Sequence, residues 1–494
     1  MLSDTLRASR GSRLRVIARS GGAAALLWGV VPVGAGLSAF GLAFTLLFRK
    51  PTRWTTIFAW GLAFHVLVMA ALFGALGIPG PVVRIVAAWK EAAVILLLFS
   101  VVVRAALGRL PKITISPNDL AVTALIGLSV SYLLVFQAFS VSGITFLASL
   151  YGLRDAAFFL LLYFVGRTTP ELATSDRLLR VLIGLGVVTT LIAILERIFV
   201  TPQMLVVLGA ANYFRDFLGT APFTLGNEYG LPMNYWTAFG SRVVQRAGSV
   251  YLSSQAFAIS FLLIMPAATV RMLGRQRTRM AWLTYALLWV GLVISVTRMT
   301  IVVCVVQVLV IALVVRRYDL FAWTAGVVSA LFVLALGSIR GLPTFIWETI
   351  TWETGSSGSH LKDWGKGFSA LLSYPLGSGL GTSDQTAVRF GLNPLTADNQ
   401  FLKYAAELGL PGLLLILVIF VGIATAAARL LRHSSSGPER QFAIVVLCAT
   451  VGIALNGATA VPFNCMVVAY LYFWMAGVTV SRVVCVSAER RAHR

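Results

Sequence analysis

The chain has 494 residues, of which 58% are hydrophobic and only 12% charged. A soluble chain of this length carries about a quarter charged residues, so a water-soluble multidomain protein is excluded. The formal net charge of +22 does not point to nucleic acid, because the arginines form neither one face nor a tail. They fall in short clusters between apolar runs, as the cytoplasmic loops of a membrane protein require.

In chain order, the opening MLSDTLRASRGSRLRVIARSGG is basic. The apolar stretch behind it is long and lacks a convincing cleavage site, so it reads as a retained helical region and not as a removed signal. Residues 21–48 have basic flanks and are interrupted by VVPVGAG, which predicts a tight helical hairpin, with a single span as the alternative. Apolar runs then follow at approximately 54–77, 82–104, 118–138, 146–167, 178–199, 250–270, 281–297, 299–315, 320–338, 408–430, 441–457 and 464–481. At 1.5 Å per residue each is long enough to cross a hydrocarbon core of roughly 30 Å.

Basic clusters at 49–53, 104–112, 167–180, 271–279, 316–317, 429–440 and 482–494 separate these runs in pairs. The predicted fold class is all-α: one polytopic integral membrane domain over 1–494, with about 12–14 transmembrane helices and both termini cytoplasmic. The alternation needed for a membrane β-barrel is absent. Cys304, Cys448, Cys465 and Cys485 have no paired spacing, which argues against a zinc site or a disulfide framework.

This topology turns two long polar connections to the extracytoplasmic face, about 200–249 and 339–407. Loops of such length are usually functional. Their pieces TPQMLVVLGAANYF and GFSALLSYPLG read as interfacial or re-entrant segments.

Several residues there suit chemistry. Arg298 lies where one apolar run turns into the next, with no other charge nearby. An arginine near the membrane centre costs about 2.5–3.5 kcal/mol on insertion scales, so it has a partner, a task, or a route by which to snorkel to the interface. Arg242 and Arg246 precede a span, and Arg246 stands beside Gly248, Ser249, Ser253 and Ser254. That setting suits a bulky anion or a lipid-headgroup anchor.

His360, Lys362 and Lys366 follow in the second outer region, ahead of Gly377, Gly379 and Gly381. Those glycines either present backbone N–H groups to a phosphate or let the loop fold tightly. His360 is a base near neutral pH or a solvated loop residue. In ADNQFLKYAAELGLPG, at the mouth of a span, Asp398 either caps the helix that follows or handles a proton. Lys403 and Glu407 read as a surface i,i+4 pair worth a few tenths of a kcal/mol. Glu91, Asp155 and Glu196 each adjoin a basic residue, and His65 stands alone. No array of unpaired acids marks a proton pathway.

The order of these segments resembles the O-antigen ligase and polymerase superfamily. RAGSVYLSSQAFAISFLL is similar to its Arg-x-Gly segment, and SVTRMTIVV to its Thr/Ser-Arg turn. DWGKGFSALLSYPLGSGLG resembles its Trp and Pro-Leu-x-Gly-x-Gly-Leu-Gly run, and DNQFLKYAAELGLPG its His/Asp-Asn-x-x-Leu…Glu-x-Gly-x-x-Gly run. The resemblance covers about residues 240–412. Two departures are present. Ligases typically have histidine where this chain has Asp398, the form closer to the polymerases. An arginine often found before the outer-loop tryptophan is absent, and the region reads His360, Lys362, Asp363, Trp364.

The resemblance implies a metal-independent membrane glycosyltransferase of the bacterial inner membrane, without cofactor. It would polymerise polyprenyl-pyrophosphate-linked oligosaccharide units at the outer face. Alternatives are a ligase acting on a lipid or protein acceptor and a flippase of lipid-linked sugars. It also implies roles. Arg246 and Arg298 would meet the pyrophosphate, with Lys362 or Lys366 behind them. Asp398 would assist the acceptor hydroxyl, and His360, Asn399 and Trp364 would contact substrate. The partners implied are the lipid-linked donor, a glycan acceptor, membrane lipids, and polysaccharide export or chain-length proteins.

Overall fold

The computed structural model describes residues 51–110, 114–135, 144–220, 229–239, 242–273, 278–338, 347, 351, 355–396, 398–434 and 437–492. The expected hairpin at 21–48 and most of 339–354 lie outside the described residues.

A lipid-facing segment must pair every backbone N–H and C=O within itself, which leaves the helix as the solution for long apolar runs. Among the described residues ten helices are long and apolar enough to cross a membrane: Pro51–Ala75, Gly80–Ala106, Pro117–Leu134, Phe146–Arg167, Arg177–Phe199, Ser254–Arg271, Arg298–Val315, Gln400–His433, Pro438–Gly457 and Met466–Val486. Two shorter apolar helices, Arg279–Ile294 and Tyr318–Leu334, make twelve, and these are the twelve runs read from the sequence. The protein is an all-α, multi-pass membrane protein. Start signals are used where the sequence offers them: Ser116 and Asp119 form a capping box, and Thr145, Ser253 and Thr278 cap their helices through side-chain oxygens.

Burial orders the bundle. Of the apolar windows of Ser254–Arg271 and Met466–Val486, 83% is buried, against 28% for Gly80–Ala106, so the first two are central and the last faces lipid. Without a hydrophobic drive between helices in lipid, close packing relies on small residues. Gly166 and Gly477 supply it, since a Cβ on either would collide with the backbone of the facing helix.

The two ends of the bundle differ. One carries the arginine-rich connections, braced by Arg271–Asp176 (3.2 Å), Arg482–Glu439 (2.5 Å) and Arg167–Asp119 (2.9 Å). The opposite end carries an antiparallel hairpin, β1 (Trp236–Phe239) and β2 (Arg242–Gln245), paired from Trp236↔Gln245 to Phe239↔Arg242. The helices Gly355–Ser373 and Asp384–Arg389 lie in the connection that leads back to the same end.

The helix Gln400–His433 breaks at Gly409 (φ 68°, ψ −164°) ahead of Pro411, which separates the polar stretch 400–408 from the apolar span. The break exposes carbonyls, and the glycine run caps them: Ser378 N donates to Ala406 O (2.7 Å) and Gly379 N to Glu407 O (3.1 Å), while Leu410 N donates to Pro375 O (2.8 Å). Gly377 and Gly409 touch backbone to backbone, with no room for a Cβ on either. The run therefore folds tightly onto the helix, and these N–H groups are spent there. Gly409→Ala is expected to cost about 1–3 kcal/mol in backbone strain alone, because only glycine tolerates this conformation. The readout is thermal unfolding in detergent, and an unchanged melting temperature would contradict the docking.

Candidate functional site

The turn between Arg279–Ile294 and Arg298–Val315 is tight enough that Val296 takes φ 54°, an outlier for a β-branched residue. It exposes the Ser295 carbonyl and the Thr297 hydroxyl, and Arg246 reads both. Its Nε donates to Ser295 O (3.1 Å) and its terminal nitrogen to Thr297 Oγ1 (2.6 Å). Arg246 is itself held by the hairpin, with its backbone N donating to Tyr235 O (2.7 Å). The carboxylate of Glu196, buried at the end of Arg177–Phe199, accepts from Gly248 N (3.1 Å) and Ser249 N (2.6 Å). Sequence alone gave Glu196 only Arg197 as a neighbour. Its clamp on the Arg-x-Gly segment comes from a contact 52 residues away.

Arg298 is the first residue of its helix. A cation there opposes the helix dipole, so helix stability does not explain its position. Burial first, and then the nearby Arg298, push the Arg246 guanidinium down to about 10, still charged at neutral pH. Among the described residues no carboxylate pairs with Arg246. Two guanidiniums and a helix N-terminus thus concentrate positive potential at one point, an arrangement suited to a phosphate-type anion.

The helix Gly355–Ser373 brings His360 to the same end. Its Nδ1 lies 3.9 Å from Asp398 Oδ2, with the two side chains 25% and 44% exposed. That is beyond hydrogen-bond distance, yet leaves a hydroxyl oxygen able to reach both. Burial, with Asp384 and Asp363 as neighbouring carboxylates, pushes the Asp398 carboxyl up to about 6. Burial lowers His360 below its ordinary value, opposed by Asp363 and aided by Arg298, so at neutral pH the imidazole is neutral beside a carboxylate. Arg246, Arg298, His360 and Asp398, from four separate segments, are joined in one electrostatic neighbourhood.

The other expected residues lie around it. Asn399 is the helix cap: its Oδ1 accepts from Phe401 N and Leu402 N (both 2.9 Å), and its Nδ2 donates to Ala458 O (2.8 Å). The cap expected of Asp398 is thus made by its neighbour, leaving the Asp398 carboxylate available. Trp364 has its indole N–H buried without a partner. Lys362 is exposed, and Lys366 is exposed and 3.5 Å from Asp363.

Lys403 and Glu407 do not form a surface pair. Both are buried, at 3% and 1% exposure, because the connection from 375 to 396 covers this helix. Lys403 Nζ pairs with Asp384 (3.2 Å), whose Oδ2 also accepts from Asn464 (2.6 Å). Glu407 accepts from Ser383 N (3.3 Å). Removing one partner of such a pair leaves uncompensated buried charge, so Lys403→Met is expected to cost about 3–5 kcal/mol. Thermal unfolding reads this, and a loss of only a few tenths would restore the surface-pair reading.

The acids inside the spans are partnered: Lys90–Glu91 at 3.0 Å and Arg154–Asp155 at 2.8 Å. His65 Nδ1 accepts from the Trp89 indole (3.1 Å). The four cysteines are free thiols, and among the described residues no three His, Cys, Asp or Glu side chains could hold a metal ion.

No curated protein sequence matches the chain. Residues 283–417 match the family model described as O-antigen ligase, a stretch that holds Arg298, His360 and Asp398 but not Arg246. That match supports the resemblance of this part of the chain to the O-antigen ligase/polymerase superfamily.

Proposed function

We propose that the chain is a glycosyltransferase of the bacterial inner membrane that polymerises polyprenyl-pyrophosphate-linked oligosaccharide units, with its site on the extracytoplasmic side. The observation that carries this reading is the convergence of Arg246 and Arg298 with His360 and Asp398 at the end opposite the arginine-rich connections. As the anomeric bond breaks, negative charge grows on the pyrophosphate leaving group, and the two fixed guanidiniums stabilise it without reorganising. The acceptor hydroxyl loses its proton to Asp398 while His360 orients it. The step balances: the acceptor oxygen bonds to the anomeric carbon, the carbon–oxygen bond to pyrophosphate breaks, and the proton passes to Asp398. No metal is needed for this charge balance.

Aspartate in place of the ligases' histidine favours polymerisation over ligation. Purified protein in lipid, given a polyprenyl-pyrophosphate oligosaccharide as donor and acceptor, should yield a ladder of longer lipid-linked glycans by mass spectrometry. Transfer to a different acceptor without a ladder would make it a ligase.

A further inference from the structure

A second charged cavity lies apart from the four residues above. It has a volume of about 460 Å³, and neither Arg246 nor Arg298 lines it. Among the described residues its walls hold Arg84, Lys90, Arg154 and Arg389 against one carboxylate, Glu91. Lys90 is matched by Glu91 at 3.0 Å, and Arg154 by Asp155 at 2.8 Å. Arg84 and Arg389 have no ion-pair partner among the described residues. They lie against rings: Arg389 is 4.6 Å from the Tyr151 ring and Arg154 4.8 Å from the same ring, both Arg84 and Arg389 lie 5.8 Å from Phe217, and Arg389 also donates to the Phe217 carbonyl (3.4 Å). Contacts of this kind restrain a guanidinium and leave most of its edge donors for a ligand.

The cavity therefore has an excess of about two positive charges, arranged as fixed forks. Its remaining wall is apolar, and Leu147 and Leu150 both line it and stand exposed, at 51% and 42%, on a helix apolar enough to cross a membrane. A cationic pocket opening through an apolar wall onto lipid matches an amphiphile with a phosphate head and a hydrocarbon chain.

The geometry points to a second lipid-phosphate site, formed by Arg84, Arg154 and Arg389, that holds the pyrophosphate head of the lipid-linked acceptor. Its role as the acceptor's site rests on the proposed function; its identity as a lipid-phosphate site does not. A polymerase joins two lipid-linked chains and so needs two anionic heads held at once. The two places are linked mechanically, because the short helix Asp384–Arg389 carries Asp384, beside Lys403 and Asp398, at one end and Arg389 at the other. Thr386, between them, donates to Asp155 (2.8 Å), the partner of Arg154.

The test is binding stoichiometry of labelled undecaprenyl pyrophosphate to the full chain in phosphatidylcholine nanodiscs. Two equivalents are expected for the wild type. Arg84→Gln with Arg389→Gln should weaken one of them roughly tenfold to a hundredfold per guanidinium, and the equivalent that remains shows that the variant is folded. Arg246→Gln with Arg298→Gln should remove the other. Two equivalents of unchanged affinity in the Arg84/Arg389 variant, or one or none in the wild type, overturn the proposal. Displacement of the second equivalent by inorganic pyrophosphate as effectively as by unlabelled lipid would make it a free-anion site and overturn the lipid assignment. Displacement by phosphatidylglycerol would make it a bulk-lipid site and overturn the acceptor role. If the Arg246/Arg298 variant keeps both equivalents while the cavity variant loses one, the lipid site stands and the donor assignment falls.

Discussion

Arg298→Gln is expected to lower glycosyl transfer by about 10²–10³-fold, the loss typical when one fixed donor is removed from developing negative charge. The rate at saturating donor should carry most of it, since a leaving group carries more negative charge in the transition state than in the bound donor. Stability should move the other way or not at all. Arg298 opens its helix, where a cation opposes the dipole, and removing it relieves up to about 1 kcal/mol. A variant that melts at or above the wild-type temperature and has lost transfer separates a catalytic role from a structural one. Arg246 is the poorer first choice, because its bonds to Ser295 and Thr297 also shape the turn.

Asp398→Asn should cost about 10²–10⁴-fold, the range for a general base. Helix capping cannot explain such a loss, because Asn399 makes both cap bonds. The pH dependence has a definite sign. The carboxyl is pushed up to about 6, and only its deprotonated form accepts the acceptor's proton. Activity should therefore fall as pH is lowered through about 6 and level off above it, with the apparent value belonging to the Asp398–His360 pair and not to either residue. In Asp398→Asn that limb should vanish from the residual activity. Persistence of an unchanged limb would assign it to another group.

What the sequence could and could not disclose follows from the range of the interactions. The twelve apolar helices were legible because hydropathy is a local property, and the basic clusters separated them in pairs. Arg246 and Arg298 were legible as cations set at the edges of apolar runs. The network of buried Lys403 and Asp384 with Asn464 was not: its members come from separate parts of the chain, and Lys403 with Glu407 matched a surface pattern. The glycine run at 377–381 was open between cradling a phosphate and tight folding. The break at Gly409 decided it, by offering carbonyls that needed donors. The bonds that Asp119 accepts from Tyr163 (2.6 Å) and Arg167 (2.9 Å) at the arginine-rich end are long-range in the same way. Each residue looks ordinary beside its sequence neighbours.

On the proposed function, this cluster transfers sugars and does not move them across the bilayer. The most direct measurement incubates the protein, reconstituted in vesicles, with a labelled polyprenyl-pyrophosphate oligosaccharide, and follows both released polyprenyl pyrophosphate and glycan length. The wild type should release one pyrophosphate carrier for each unit added to the glycan, and Arg298→Gln and Asp398→Asn should do neither. Labelled lipid that crosses the bilayer unaltered, with no carrier released, would rule out transfer and make the protein a flippase.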